Sequence, residues 1–435
     1  MLPPGHFGLP VIGEMAELYS DFYGFAQRRY ARYGPIFKSH ANGKRAIVLL
    51  SAEAQHYVLL KHQENFIAHT GYEIIDPLLG EALLLLDGTV HRQRRTWMTP
   101  AFHGRNMGSY LTIMNRVFNE RLDSWGASGK RAFYPEAAAM TFQLGAAMLL
   151  GIELRDDTQR LLKLWMTYAD GVRTVLHIPG PFTKFGKAMI AKQRIATIAQ
   201  HMIAEQRNSD QMNVIKLLAE ARDENGEPIP EEQLITQLRF LMFASYDTTT
   251  GTLSWLLAEL LRHPELLARV RDEVQGDAPL TYEDLNQHRP LTDAVIEETL
   301  RLHPQVMMFA RGIKADDEFG GYTLPAGWVA VLLPVFTNRL PDYFTNPLQF
   351  DPDRFLPPRE EHKAHPYSWV GFGGGAHACL GENTARIEIK ALLTLMLRRY
   401  PELRLAAGQD LSEVYLPLSR PKSDVFIEYK ARSLA

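Results

Sequence analysis

The sequence predicts a mainly α-helical protein with a smaller β region, an α+β fold built as a single domain spanning 1–435. Three observations carry that expectation. Stretches at 104–127, 155–171, 187–208, 231–262 and 264–275 repeat apolar residues with helical periodicity. Runs of strand character are confined to about 30–52 and 305–335, on either side of a helical part at about 52–303. No internal repeat or low-complexity linker divides the 435 residues, and a 46% hydrophobic composition suits one sizeable core, although length alone would allow two or three domains.

In chain order, Pro35-Ile36-Phe37-Lys38 and Ala46-Ile47-Val48-Leu49-Leu50 read as two strands, with Asn42-Gly43 between them as a hairpin turn. The least charged long run, 137–152, has Thr141 and Gln143 inside it. It stops short of the roughly 20 apolar residues a membrane span needs, so it reads as a buried helix. Pro179-Gly180-Pro181 and Asp223-Glu224-Asn225-Gly226 break the helical pattern as loops. After Pro304 the chain turns to short strands rich in proline and glycine. A strong helix then covers 380–399 and ends before Pro401.

Composition narrows the function. A formal charge of −3 gives no global signal for nucleic acid. One cysteine, Cys379, excludes an internal disulfide and any multi-cysteine zinc or iron–sulfur site. The opening MLPPGHFGLPVIGE is too broken by proline and glycine for a secretory signal. The expectation is a soluble, cytoplasmic monomer without a transmembrane anchor.

The lone cysteine sits in GFGGGAHACLG at 371–381, just before the 380–399 helix. The glycines permit positive φ and a close approach of backbone to a flat ligand. The positive end of the following helix favours a thiolate, a poor zinc site but a good single axial ligand for haem iron. The alternative is a small buried hydrophobe in a turn, the usual state of a free cysteine. The run Phe372-Gly373-Gly374-Gly375-Ala376-His377-Ala378-Cys379-Leu380-Gly381 resembles the haem-binding loop of the cytochrome P450 family, F-x-x-G-x-[RH]-x-C-x-G. The resemblance implies that Cys379 ligates the iron of haem b, held between the long central helix and the cysteine-loop helix. It implies that Phe372 lies in the cofactor-binding loop and that His377 contacts a haem propionate, where many members carry arginine.

Further landmarks follow the family's order. Glu298-Thr299-Leu300-Arg301 puts a carboxylate and a guanidinium on one helix face. By itself this is an ordinary surface pair. It resembles the family's E-x-x-R motif, and Pro352-Asp353-Arg354-Phe355 resembles the P-x-R-F motif. Together they imply a buried network of Glu298, Arg301 and Arg354 behind the cysteine loop. His91-Arg92-Gln93-Arg94-Arg95 is a basic cluster whose bland reading is a solvated helix face. His91 and Arg95 are similar to the family's propionate-binding [WH]-x-x-x-R element, and Arg311 aligns with a further propionate-binding arginine. Ala244-Ser245-Tyr246-Asp247-Thr248-Thr249 is similar to the oxygen-activation motif [AG]-G-x-[DE]-T-[TS], with Ser245 in place of the usual glycine. The threonines have a structural reading as back-bonding hydroxyls that bend a helix. The match implies that Thr248 hydrogen-bonds bound dioxygen and that Asp247 relays protons to it. A side chain at Ser245 is expected to narrow the groove there or to join the proton network.

By the same resemblance the substrate pocket draws on Ile74, Ile75, Leu78, Leu79, Leu176, Phe243, Ala244, Val306, Met307, Met308, Phe309 and Leu418. Most apolar residues are simply core. As a set these imply a hydrophobic substrate: a retinoid, carotenoid, other terpenoid, steroid or fatty acid. The N-terminal PPGHFGLPVIGE and the CLG run resemble the retinoid-hydroxylase branch. No flavin, iron–sulfur or dinucleotide-binding segment is present. Electrons from NAD(P)H would therefore arrive through a separate ferredoxin or flavodoxin, with Arg92, Arg94, Arg386 and Lys390 as a basic docking face. The competing readings are a haem-thiolate peroxygenase or isomerase, against which the Asp247–Thr248 pair argues, and a haem protein that binds ligand without turnover.

Overall fold

The computed structural model describes residues 1–9, 13–41, 43–104, 106–152, 158–174, 177–206, 213–415 and 418–432. The turn residue Asn42 and the pocket candidate Leu176 lie outside the described residues. The periodic stretches fold as helices Asn106–Asp123, Thr158–Val172, Lys184–Gln206, Glu231–Arg262 and Pro264–Glu273. The 32-residue Glu231–Arg262 helix runs through the middle of the largest apolar cluster. At 1.5 Å per residue it is about 48 Å long. Its closest neighbour is Phe133–Leu150, the low-charge run expected to be a buried helix. That helix stops at Gly151, whose φ of 70° closes a left-handed cap with N–H bonds to the Ala146 and Ala147 carbonyls. No helix among the described residues is long and apolar enough to cross a membrane.

The main sheet has five strands in the order Ile36–Ala41, Lys44–Leu49, Val329–Leu332, Phe309–Ile313 and Phe66–Ile67. Lys44–Leu49 and Val329–Leu332 pair in parallel, Ala46 against Val329, and the remaining pairs are antiparallel. Side chains alternate between the faces, as a period of two requires. Ala46, Val48, Val329 and Val331 join the N-terminal helices Met15–Ser20 and Phe22–Tyr33 in one core. Ile47, Leu49, Ala330 and Leu332 join Val58, Leu59 and Val370 in another. The two sides of this sheet therefore belong to different parts of the molecule.

The β region is wider than the sequence suggests. Ser128–Ala132, Phe426–Lys430 and Glu402–Leu405 form a three-stranded sheet, and Glu413–Val414 pairs with Arg420–Pro421 in a small hairpin. The strand SGKRA carries no apolar alternation. It is an edge strand whose pairing is dictated by Phe426–Lys430, about three hundred residues away.

Candidate active site

The cysteine loop is built against its own protein surroundings. Gly373 and Gly375 take φ of 76° and 62°, conformations strained for other residues. A β-carbon on Gly375 would collide with the Leu59 carbonyl, and one on Gly374 would meet the Tyr367 ring. Those two glycines therefore serve contact with neighbouring chain, a correction to the expectation that they clear space for a ligand. The Cys379 N–H donates to the Phe372 carbonyl at 2.8 Å, closing the loop. The Phe372 ring carries the Arg386 guanidinium 4.9 Å above it. The helix proper begins at Glu382. Burial pushes the Cys379 thiol up, while the Gly381 N–H and Arg95 pull it down. The Cys379 side chain is accessible.

His91 and Arg95 occupy one face of the helix Gly88–Met98 and meet this loop. The Arg95 Nη1 donates to the Ala378 carbonyl at 2.7 Å, and the His91 and His377 rings lie 4.1 Å apart. The His91 Nε2 is buried without a hydrogen-bond partner. Burial, reinforced by His377 and Arg95, lowers His91 to about 4. Burial also lowers His377, against Asp87, whose carboxylate is 3.6 Å from its Nε2. Asp87 holds the Ala68 and His69 N–H groups at 2.8 and 3.0 Å, tying the 68–69 segment to the loop. Arg311 is buried in its strand and donates to the Ala310 carbonyl at 2.9 Å. Neither Arg95 nor Arg311 has a carboxylate partner among the described residues. A buried cation without an anion, as Arg311 is, costs several kcal/mol unless an anion joins it, on the order of 3–5 kcal/mol.

In the middle of the long helix, the Thr248 Oγ1 donates to the Ala244 carbonyl at 2.7 Å. Ala244 and Thr248 stand one turn apart and are both half-buried, between the buried Met242, Tyr246 and Thr250. Asp247 points elsewhere. Its Oδ2 pairs with the Arg173 Nη1, and its Oδ1 accepts from the Tyr134 hydroxyl at 3.5 Å. Burial raises the Asp247 carboxyl above its ordinary range and Arg173 draws it part of the way back. Arg420 from the small hairpin lies over the Tyr134 ring at 5.8 Å. The Ser245 hydroxyl donates to the Met242 carbonyl at 3.4 Å, and a β-carbon built on Gly145 would stand 3.3 Å from it. Ser245 therefore faces a glycine on the adjacent helix. Arg173 and Tyr134 were not foreseen from sequence.

Glu298, Arg301 and Arg354 are fully buried and meet. Arg301 grips Glu298 with two bonds of 2.6 and 2.9 Å, Arg354 adds one of 3.1 Å, and the Asp351 N–H adds one of 2.8 Å. Arg301 also donates to the Asn338, Pro347 and Gln349 carbonyls. The pair is thus a clamp on loop backbone.

The cytochrome P450 family model matches residues 3–419. The chain belongs to the cytochrome P450 family. It is 33% identical over 98% of its length to cytochrome P450 120 of Synechocystis, covering 96% of that protein. It is 27% identical over 97% of its length to a sterol 14α-demethylase of Mycolicibacterium vanbaalenii, covering 96% of that protein. Its structure is similar to a retinoic acid-bound cyanobacterial P450, CYP120A1, with a TM-score of 0.90, 32% identity and 99% of both chains covered. The fold is the single-domain P450 fold, and the protein is a P450 monooxygenase, an oxidoreductase with a haem-thiolate iron cofactor that uses dioxygen. The residues present fit that cofactor: an accessible thiol, an orphaned imidazole nitrogen, and the buried Arg311 and half-buried Arg95, neither with a carboxylate partner among the described residues.

This P450 divides the apolar pocket candidates. Leu78 and Leu79 are fully buried in the main core. Met307 is buried among the N-terminal helices, and Phe309 packs on the opposite face of the sheet. Leu78, Leu79 and Met307 are core contacts rather than open wall, because strand alternation and helix packing turn them inward, while Phe309 is half-buried. Ile74 and Val306 are exposed, Ile75, Met308 and Leu418 are half-buried, and Phe243 meets the Tyr168 ring edge-on at 6.4 Å. The docking face also needs correction. Lys390 is buried against Asp293 at 2.9 Å, Arg94 turns inward to Glu81 at 3.1 Å, and Arg386 pairs with Glu297 and Glu382. Of the four, only Arg92 stays exposed without a carboxylate among the described residues.

Proposed function

We propose that this P450 oxidises an elongated apolar substrate of retinoid or related terpenoid type, with electrons from NAD(P)H delivered by a separate ferredoxin or flavodoxin. The relative crystallised with retinoic acid supports the substrate class, as does the apolar character of Ile74, Phe243, Val306 and Met308. Cys379 would ligate the haem iron, and His91, Arg95, Arg311 and His377 would hold the propionates, with Phe372 shaping the loop. When bound, the haem supplies the oxidising chemistry and the thiolate strengthens it.

The observation that carries the monooxygenase assignment is the Asp247–Thr248 pair. The Thr248 hydroxyl spends its proton on Ala244, so its lone pairs stay free to accept one. Asp247 sits at the end of a charged path. Asp170 is exposed, Arg173 is 3.5 Å from it, and Arg173 also holds Asp247. When Arg173 swings outward, the Asp247 Oδ2 is released to take a proton from solvent and hand it inward towards Thr248. The raised value of Asp247 brings it nearer to the operating pH, as a relay requires.

The test is a reduced, carbon monoxide-bound spectrum, followed by substrate-dependent NAD(P)H consumption with a surrogate ferredoxin system. The strongly red-shifted band of thiolate haem and a spin shift with retinoids are expected. Turnover with peroxide alone would reassign the chain as a peroxygenase. Exposed Arg92 is the cation assigned to the electron donor, and Arg92→Glu should slow reduction more at low salt than at high salt.

A further inference from the structure

Asp247 has partners beyond Arg173. Tyr134 stands in the first turn of the helix Phe133–Leu150, and its hydroxyl faces the Asp247 Oδ1 at 3.5 Å. A hydroxyl–carboxylate bond is ordinarily about 2.7 Å long, so this one is stretched. Arg173 makes the closer contact, on Oδ2. Burial and the neighbouring Asp247 push Tyr134 up to about 12, so its oxygen keeps its proton and donates toward the carboxylate.

A third element bears on the same pair. Arg420 lies over the Tyr134 ring and meets no carboxylate among the described residues, yet its charge draws Asp247 downward. Ser419 beside it is fully buried and accepts the Trp255 Nε1–H at 3.1 Å, which pins the small hairpin to the long helix that carries Asp247. The groups facing Asp247 are therefore Arg173 and Asp170 from the end of the helix Thr158–Val172, Tyr134, and Arg420, with Tyr246 beside Arg173. A carboxylate that Arg173 released with no other partner would be left buried and unpaired, at the full desolvation cost of a charge. The stretched phenol contact gives it a place to go. Closing it to an ordinary bond takes less than about 1 Å of movement.

Resting on the relay reading above, we infer that Tyr134 is a positioning residue that takes over Asp247 when Arg173 lets go, with Arg420 holding its ring in place. The phenol donates its O–H to Oδ1 and keeps that proton throughout. Oδ2, the oxygen that Arg173 vacates, is then the one that gains a proton from solvent and gives it up inward. The test is a pH titration of the haem-loaded protein by infrared difference spectroscopy, in which the carboxylic C=O band missing from Asp247→Asn reports that one group. In Arg173→Met, where Asp247 rests on the phenol, adding Tyr134→Phe should raise the midpoint by about one pH unit, the scale of one hydrogen bond to a charged group. The sign follows because the lost bond favours the ionised form. Tyr134→Phe alone should give less product and more peroxide per NAD(P)H consumed, with the spectral Kd for substrate and the urea midpoint unchanged. An unmoved midpoint on adding Tyr134→Phe to Arg173→Met overturns the role of Tyr134 and leaves the Asp247 relay standing. So does a Tyr134→Phe protein that loses stability and substrate affinity but keeps its coupling, since the ring then only packs. Wild-type turnover in Asp247→Asn overturns the relay itself. A normal carbon monoxide spectrum in each variant shows that the haem site is intact.

Discussion

At the scale of single residues, the decisive contacts join groups far apart in sequence. Asp247 is 74 positions from Arg173 and 113 from Tyr134. Asp247→Asn removes the proton carrier while keeping the shape. Turnover should fall about a hundredfold, the lower range for a positioned acid–base group, with the spectral Kd for substrate unchanged. Arg173→Met should also slow turnover, and in addition shift its pH profile upward, because burial still raises Asp247 while the guanidinium that lowers it is replaced by an apolar side chain. Cys379→Ala should abolish the thiolate carbon monoxide band outright. Cys379, Asp247 and Thr248 were legible in sequence because each sits in a short run of fixed residue types. Arg173 and Tyr134 were not, since nothing local marks an arginine at a helix end or a tyrosine at a helix start as the partner of a distant aspartate. The inward turn of Arg94 and Lys390 was hidden for the same reason, as their carboxylates lie on a separate loop, Glu81, and a separate helix, Asp293.

At the scale of elements, buried ion pairs act as joints between helices and loops. In Arg354→Met, Glu298 keeps Arg301, but the 345–361 loop loses the guanidinium that bonds the Thr345 carbonyl and Glu361. The loss should be about 3–5 kcal/mol, read as a drop in the urea midpoint. A second joint ties the small C-terminal hairpin to the long helix. His303 stacks on Trp255 at 3.7 Å and lies 3.2 Å from Glu259 and 3.3 Å from Glu413. Arg339 holds Glu413 at 2.9 Å, while Arg262 and His263 face Glu259. Burial works against charge on His303, but its bonds to Glu259 and Glu413 outweigh it and raise it above 6.5. Burial likewise works against charge on Glu413, and Arg339 and His303 outweigh it to bring it from 4.5 to about 2. The histidine contribution is complete below pH 6.5 and fades as pH climbs through the raised value. The glutamate contribution is complete above pH 4.5 and fades as pH falls towards 2. Stability from this joint should therefore be greatest between those limits, and His303→Gln should flatten the alkaline decline in urea midpoint against pH. The hairpin escaped the sequence reading because its strands are two residues each, too short for any period to register.

At the scale of the whole molecule, the main sheet separates two kinds of order. The face with Ala46, Val48, Val329 and Val331 packs on the N-terminal helices, with a cleft along part of it. The cysteine loop, the helix Gly88–Met98 and the strand Phe309–Ile313 instead carry an accessible thiol, an imidazole nitrogen without a partner and two guanidinium groups without carboxylates among the described residues. A ligand that binds only the folded state stabilises what it touches by mass action. Stripping the haem should therefore loosen the chain unevenly. Amide exchange should accelerate at 372–381, 88–98 and 243–248, whose partners include the cofactor. The Lys44–Leu49 and Val329–Leu332 ladder should stay protected, since its eight residues bond each other and pack on side chains. Uniform acceleration through the sheet would mean that the haem holds up the entire fold rather than its own pocket, and would place the sheet core below the threshold for folding unaided.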